Sequence, residues 1–258
     1  MHDRIKGVLF DLGETLLNYG QVDMTRMFKA GARQAYKHLE RLGHRLPSFE
    51  RYHLQQHVVV RWSYLKSAIT RREFDSLAAL VRLHAGMRIE LSREEALELA
   101  WLWYRPLSRA AVVDPDTREV LRRLQQAGLA LGLVSNTFLP GEVLDRHLEK
   151  EGLLRFLPIR VYSSRVCHRK PDPRIFRIAM ERGKLQPAET LFVGDSLKAD
   201  IRGANRAGVV SVLKDPFDEY RSRRIVPRYR IRRLRELLDI VAEHNGDQIT
   251  AERVSPGS

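Results

Sequence analysis

Four polar groups in this sequence could do chemistry together if the chain brought them to one place. They are Asp11 in FDLGETL (10–16), Ser135-Asn136 in LVSNT (133–137), Lys170 in RKPDPRIF (169–176), and the pair Asp195 and Asp200 in GDSLKAD (194–200). Asp11 and Asp195 supply hard carboxylate oxygens, which suit Mg²⁺ better than zinc. Ser135 offers a hydroxyl and a backbone N–H to a phosphate oxygen, and Lys170 brings positive charge to a site crowded with carboxylates. A carboxylate can attack phosphorus and form an aspartyl-phosphate, which divides one hard step into two easier ones. Mg²⁺ would offset the repulsion between that nucleophile and an anionic phosphate, and Lys170 would stabilise the transferring group. Each residue alone has a plainer explanation: an Asp after a strand is commonly a turn or cap residue, Ser-Asn a turn, Lys-Pro-Asp-Pro a loop. Their order along one alternating scaffold favours a shared site.

The elements needed to position these groups are legible. The run Ile5-Lys6-Gly7-Val8-Leu9-Phe10 reads as a short buried strand that ends at Asp11. After Asp114-Pro115-Asp116 the texture alternates. Helices are predicted at 117–128, 140–151, 173–183 and 197–207, and strands at 129–134, 157–163, 190–193 and 209–213. Such alternation implies an α/β fold with a doubly wound parallel sheet. All strand carboxyl ends of a parallel sheet point to one edge, so groups far apart in sequence meet there. Between the first strand and the rest, residues 20–110 look helical. Met24, Met27, Phe28, Ala32, Ala35, Tyr36 and Leu39 mark one face of an amphipathic helix over 24–42. A second helix is predicted from Pro47-Ser48 to about 70. A third runs over 91–107, with a Ser92/Glu95 capping box at its start and Pro106 at its end. The expected organisation is an α/β core of 1–17 and 111–245, a helical insertion of 18–110, and a frayed polar tail of 246–258. Trp62, Tyr64, Trp101, Trp103 and Tyr104 in the insertion are read as core packing, with some facing the site.

Composition narrows the function classes. The chain has 258 residues, 43% hydrophobic and 30% charged, enough for a sizeable packed core. No apolar run approaches the ~20 residues of a membrane helix. The first residues lead straight into a strand and leave no room for a signal peptide. The one cysteine, Cys167, excludes an internal disulfide and fits a reducing compartment. A cytoplasmic protein without a membrane partner is the expectation. The formal charge of +13 is concentrated late, in RSRRIVPRYRIRRLRE (221–236). Nucleic-acid contact is one reading of that stretch. A solvated, partly packed basic surface is the favoured one, because Ile225, Val226, Tyr229, Ile231 and Leu234 run through it.

FDLGETL, LVSNT, the lysine of RKPDPRIF and VGDSLKADIRGANRAG (193–208) resemble, in order and spacing, the four motifs of the haloacid dehalogenase-like hydrolases. The resemblance covers 5–17 and 112–240, and the insertion resembles the helical cap that one subgroup carries after the first motif. It implies Asp11 as nucleophile, Ser135 and Lys170 as phosphate-site residues, and Asp195 as a Mg²⁺ ligand. It further implies a metal-ligating main-chain carbonyl at Gly13 and a supporting role for Asp200 toward Lys170 or a metal-bound water. Thr15 and Asn136 would shape the phosphate pocket.

One departure stands out. The family's phosphatases usually carry Asp where this chain has Gly13, and that Asp protonates the leaving group and then activates water. The carbonyl survives the change and the acid/base does not, a loss of about 10²–10⁴-fold in rate, or roughly 3–5 kcal/mol of barrier. Glu14 is adjacent, but its side chain should project elsewhere. The resulting expectation is a slow Mg²⁺-dependent phosphohydrolase acting on a small phosphorylated metabolite. The alternative is a nearly inactive protein that binds a phosphorylated ligand. A metal-independent 2-haloacid dehalogenase ranks lower, because those enzymes usually lack the acidic residue retained here as Asp195.

Overall fold

The computed structural model describes residues 4–70, 75–220 and 224–246, and all of their side chains except those at 60 and 63–70. The sheet is built from β1 (Gly7–Phe10), β2 (Ala130–Ser135), β3 (Ile159–Tyr162), β4 (Thr190–Gly194), β5 (Val210–Lys214) and β6 (Tyr229–Ile231). All pairings are parallel, in the order β3-β2-β1-β4-β5-β6. Every residue of β1 and β4 is buried, as expected of strands covered on both faces. From β1 the chain winds outward through β2 to β3, then crosses back to lay β4 on the other side of β1. The switch point therefore lies between β1 and β4, where open α/β sheets bind ligands. Asp11 and Asp195 stand just past those two strands.

Four helices fall between β1 and the rest of the sheet: α1 (Met24–Arg41), α2 (Phe49–Thr70), α3 (Ser76–Ala85) and α4 (Arg93–Ala110). Asp23 caps α1, and the Ser92/Glu95 capping box of α4 is fully formed. Ala32, Ala35, Leu39, Phe49, Tyr52, Ile89, Leu99 and Leu102 make a separate apolar cluster among these helices. Helices α1 and α4 approach so closely that a Cβ at Gly31 would strike the main-chain carbonyl of Trp103. The opposite side of α4 joins the core of the sheet layer through Ala100, Trp101 and Tyr104.

The remaining helices flank the sheet: α5 (Thr117–Gln126), α6 (Gly141–Lys150), the short α7 (Ser163–Val166), α8 (Pro173–Gly183), α9 (Arg202–Ala207) and α10 (Glu236–Asn245). Ahead of α9, Leu197–Ile201 form a single wide π-type turn.

Two expectations need correction, and one gains detail. Pro106 does not end its helix, because α4 continues to Ala110. A proline forfeits one helical hydrogen bond, but Leu107 packs on the core and Ser108 is buried, which holds the final turn in place. Trp62 is not core, being 67% exposed on α2; the side chain of Tyr64 lies outside those described. The basic stretch also contributes β6, which pairs with β5, while Arg230 bonds Asp215 at 2.6 Å and Asp218 at 3.0 Å. Residues 221–223 and the tail beyond Gly246 lie outside the described residues.

Candidate active site

Asp11 continues the strand pairing one step beyond β1, its N–H donating to the Val193 carbonyl at 2.8 Å. The ammonium of Lys170, buried to within 2% of its side chain, sits 2.5 Å from Asp11 Oδ1 and 2.7 Å from Asp200 Oδ1. Asp200 Oδ2 accepts the Ser196 N–H at 2.9 Å. The wide turn at 197–201 folds Asp200 back over the end of β4, so close that a Cβ at Gly194 would lie 2.5 Å from its Cγ. A glycine is needed there for this approach. The Thr15 hydroxyl donates to Asp195 Oδ1 at 3.4 Å, completing a set drawn from the ends of β1 and β4 and the loop before α8.

Asp11, Asp195 and Asp200 each place a carboxylate oxygen within 4.8 Å of the others. Burial pushes the Asp11 carboxyl above its ordinary range; the Lys170 charge pulls it back down and Asp200 adds to the rise. Burial and then the charges of Asp11 and Asp200 raise Asp195 as well. Lys170 is raised overall, because the two carboxylates outweigh the desolvation that opposes its charge. With Asp200 held on both oxygens, Asp11 and Asp195 are the donors positioned to face an ion. Three crowded, largely buried carboxylates fit a small hard dication such as Mg²⁺.

Ser135 ends β2 and is almost fully buried. Asn136 is turned to the loop of Lys170: its Nδ2 donates to the Lys170 carbonyl at 3.0 Å, and its Oδ1 accepts the Lys170 N–H at 2.8 Å. Both ends of this amide thus fix the backbone that presents the lysine.

Gly13 lies outside the positive-φ region, and a Cβ there would meet only the Tyr19 ring edge at 3.8 Å. Glu14 does not fill the gap, since its Oε1 is engaged by the Tyr19 N–H at 3.0 Å. A cleft of about 350 Å³ opens here, with Gly13, Tyr19, Tyr104, Ser135, Asn136 and Leu139 on its wall. Tyr19, Tyr104 and Lys214 carried no motif. Lys214, at the end of β5, donates to the Thr15 carbonyl at 2.9 Å, Asn18 Oδ1 at 3.3 Å and Asp114 Oδ2 at 3.0 Å. Asn18 and Val112 exchange main-chain bonds of 2.8 Å. The two segments that lead into and out of the helical insertion are therefore tied to each other and to the sheet. A lysine closing an apolar strand was the available signal.

A family model for haloacid dehalogenase-like hydrolases matches residues 5–208. The chain belongs to the haloacid dehalogenase-like hydrolases. It is 38% identical over 133 residues to a glyceraldehyde 3-phosphate phosphatase of Methanopyrus kandleri, an alignment covering 50% of this chain and 56% of that protein. It is 27% identical over 214 residues to a ribulose-1,5-bisphosphate 5-phosphatase of Halopiger xanaduensis, covering 82% of this chain and 85% of the relative. A 2-haloacid dehalogenase from Pseudomonas syringae pv. Tomato DC3000 superposes with a TM-score of 0.63 at 21% identity, over 93% of this chain and 99% of the other. That likeness establishes the fold, which phosphatases and dehalogenases of this family share. Among the described residues no helix is long and apolar enough to cross a membrane.

Proposed function

We propose that this hydrolase cleaves a small phosphorylated metabolite with Mg²⁺ and an aspartyl-phosphate on Asp11. The observation that carries the reading is the convergence of Asp11, Lys170 and Asp200 at 2.5 and 2.7 Å beside Asp195. Two relatives named as phosphatases of sugar or triose phosphates support it.

In this reading Lys170 holds one oxygen of Asp11, and the other oxygen attacks phosphorus. Lys170, Ser135 and the Thr15 region cradle the phosphoryl oxygens, while Asp200 keeps the lysine charged and aimed. Asp11, Asp195 and the Gly13 carbonyl would hold Mg²⁺, which supplies charge neutralisation for the phosphoryl group. The division into a core of 1–17 and 111–245 and a cap of 18–110 belongs to the same proposal, with the cap closing over the cleft to exclude water. An exposed free thiol at Cys167 fits a reducing, cytoplasmic setting.

Turnover is slow in this reading, because no carboxylate replaces the one missing at position 13. That same observation favours a second reading, a protein that binds a phosphorylated ligand with little hydrolysis. The deciding measurement is phosphate release from a panel of phosphomonoesters with and without Mg²⁺, against an Asp11→Asn variant. Mg²⁺-dependent release that disappears in the variant supports the phosphohydrolase. Tight binding of an ester with release no faster than the variant's overturns it in favour of the binding protein.

A further inference from the structure

Tyr19 forms the cleft end of a buried chain of hydrogen bonds. Its phenol oxygen lies 2.8 Å from that of Tyr104, which in turn lies 2.9 Å from His147 Nδ1. The chain joins the segment after β1 to α4 and α6, and Tyr104 and His147 are 2% and 0% exposed. Each hydroxyl has one proton to donate, so the chain runs in one of two directions.

His147 ends the chain. Burial, aided by the Lys150 charge, pushes its pKa down to about 4, so the imidazole is neutral at pH 7. Its Nε2 lies 3.9 Å from Glu151 Oε1, beyond hydrogen-bond reach, and has no hydrogen-bond partner among the described residues. In either direction the bond to Tyr104 uses one site of the Tyr19 hydroxyl and leaves its oxygen at least one lone pair. That lone pair is available at the cleft wall, which Tyr19 lines.

Three other polar side chains on that wall are engaged, while Ser135 stands with the proposed phosphate site. Glu14 accepts the Tyr19 N–H, Asn136 clamps the Lys170 backbone, and Thr137 accepts the Leu139 N–H at 3.0 Å. The Tyr19 ring edge also borders the space left open at position 13. We infer that the Tyr19 oxygen accepts a hydrogen bond from the alcohol portion of the ligand, and so selects phosphate esters that carry a further hydroxyl group. This inference rests on the proposed phosphate site.

Glycerol 1-phosphate and n-propyl phosphate differ in those hydroxyls. With the full chain and Mg²⁺, kcat/KM favours glycerol 1-phosphate by roughly two- to tenfold, the worth of a neutral hydrogen bond. Tyr19→Phe brings the ratio to about one, whereas a merely structural defect would depress both esters alike. Equal values in the wild type, or a ratio that survives Tyr19→Phe, overturn the inference and leave the phosphate site standing. If neither ester is hydrolysed, calorimetric affinities of the same two esters for the wild type are read in the same way. Failure of both to bind overturns the phosphate site and this inference together.

Discussion

Lys170 and Asp11, 159 positions apart in the chain, meet at 2.5 Å, and the lysine is closed in between Asp11 and Asp200. The Asp200 side chain is 1% exposed and that of Asp11 14%, so burial leaves both carboxylates dependent on the ammonium. The lysine therefore does two jobs, balancing charge in the folded protein and presenting a cation to whatever anion enters.

Lys170→Met should expose that dependence. Removing one member of a buried ion pair strands the others, at a cost of about 3 kcal/mol or more in unfolding free energy. Urea denaturation is expected to show this loss, and Asp200→Asn in the same background to recover part of it. Phosphate release is expected to vanish in both variants, since the second restores stability without restoring the cation.

Asp195 is expected to behave in the opposite sense. Burial and the charges of Asp11 and Asp200 raise its pKa, so its ionised form destabilises the metal-free protein. A raised folded-state pKa contributes stability at low pH that is lost as pH rises through it. Asp195→Asn should accordingly raise Tm at neutral pH without metal. Mg²⁺ should raise the Tm of the wild type, by the equivalent of about 2.7 kcal/mol at one hundred times its Kd. The variant should gain little from Mg²⁺. Equal gains in both proteins would place the ion elsewhere.

Gly13→Asp tests the missing side chain directly. The position is sterically open to a Cβ, with Tyr19 at ordinary contact distance. If the pocket is otherwise built for hydrolysis, the steady-state rate should rise by about 10²-fold or more. An unchanged rate would mean that another group already moves the proton, or that the protein binds without turnover.

His147 gives an acid-side signature. Its folded-state pKa is depressed to about 4 by burial and Lys150, while in the unfolded chain it is near 6.5. The unfolded state thus binds the extra proton, and stability falls as pH drops from about 6.5 to 4, by roughly 3 kcal/mol in total. The raised carboxylates push the other way across part of this window, so the difference between wild type and His147→Gln is the quantity to measure. In urea unfolding, the variant should gain on the wild type as the solution is acidified.

The strands β1 to β5 and the helices α5, α6, α8 and α9 were legible because their signals are local. Apolar runs of strand length and amphipathic stretches of helix length record which faces must be buried. The capping box at Ser92 is equally local, since both partners lie within one turn. Pro106 misled because a proline's local cost was outweighed by the burial of the turn beyond it. β6 was hidden because Tyr229–Ile231 is short and set among arginines, and its pairing with β5 is a long-range event.

By itself the sequence determined that acidic, hydroxyl and ammonium groups stand at or just beyond the ends of consecutive strands, and that position 13 has no side chain. Those facts depend only on residue type and local periodicity. Tertiary structure alone decided that the Asn136 amide serves the Lys170 backbone, that Lys214 ties the two connecting segments of the helical insertion to the sheet, and that Tyr19, Tyr104 and His147 form one chain. Each of these joins elements distant in sequence, and a hydrogen bond of about 3 Å is set by how those elements pack rather than by any spacing along the chain.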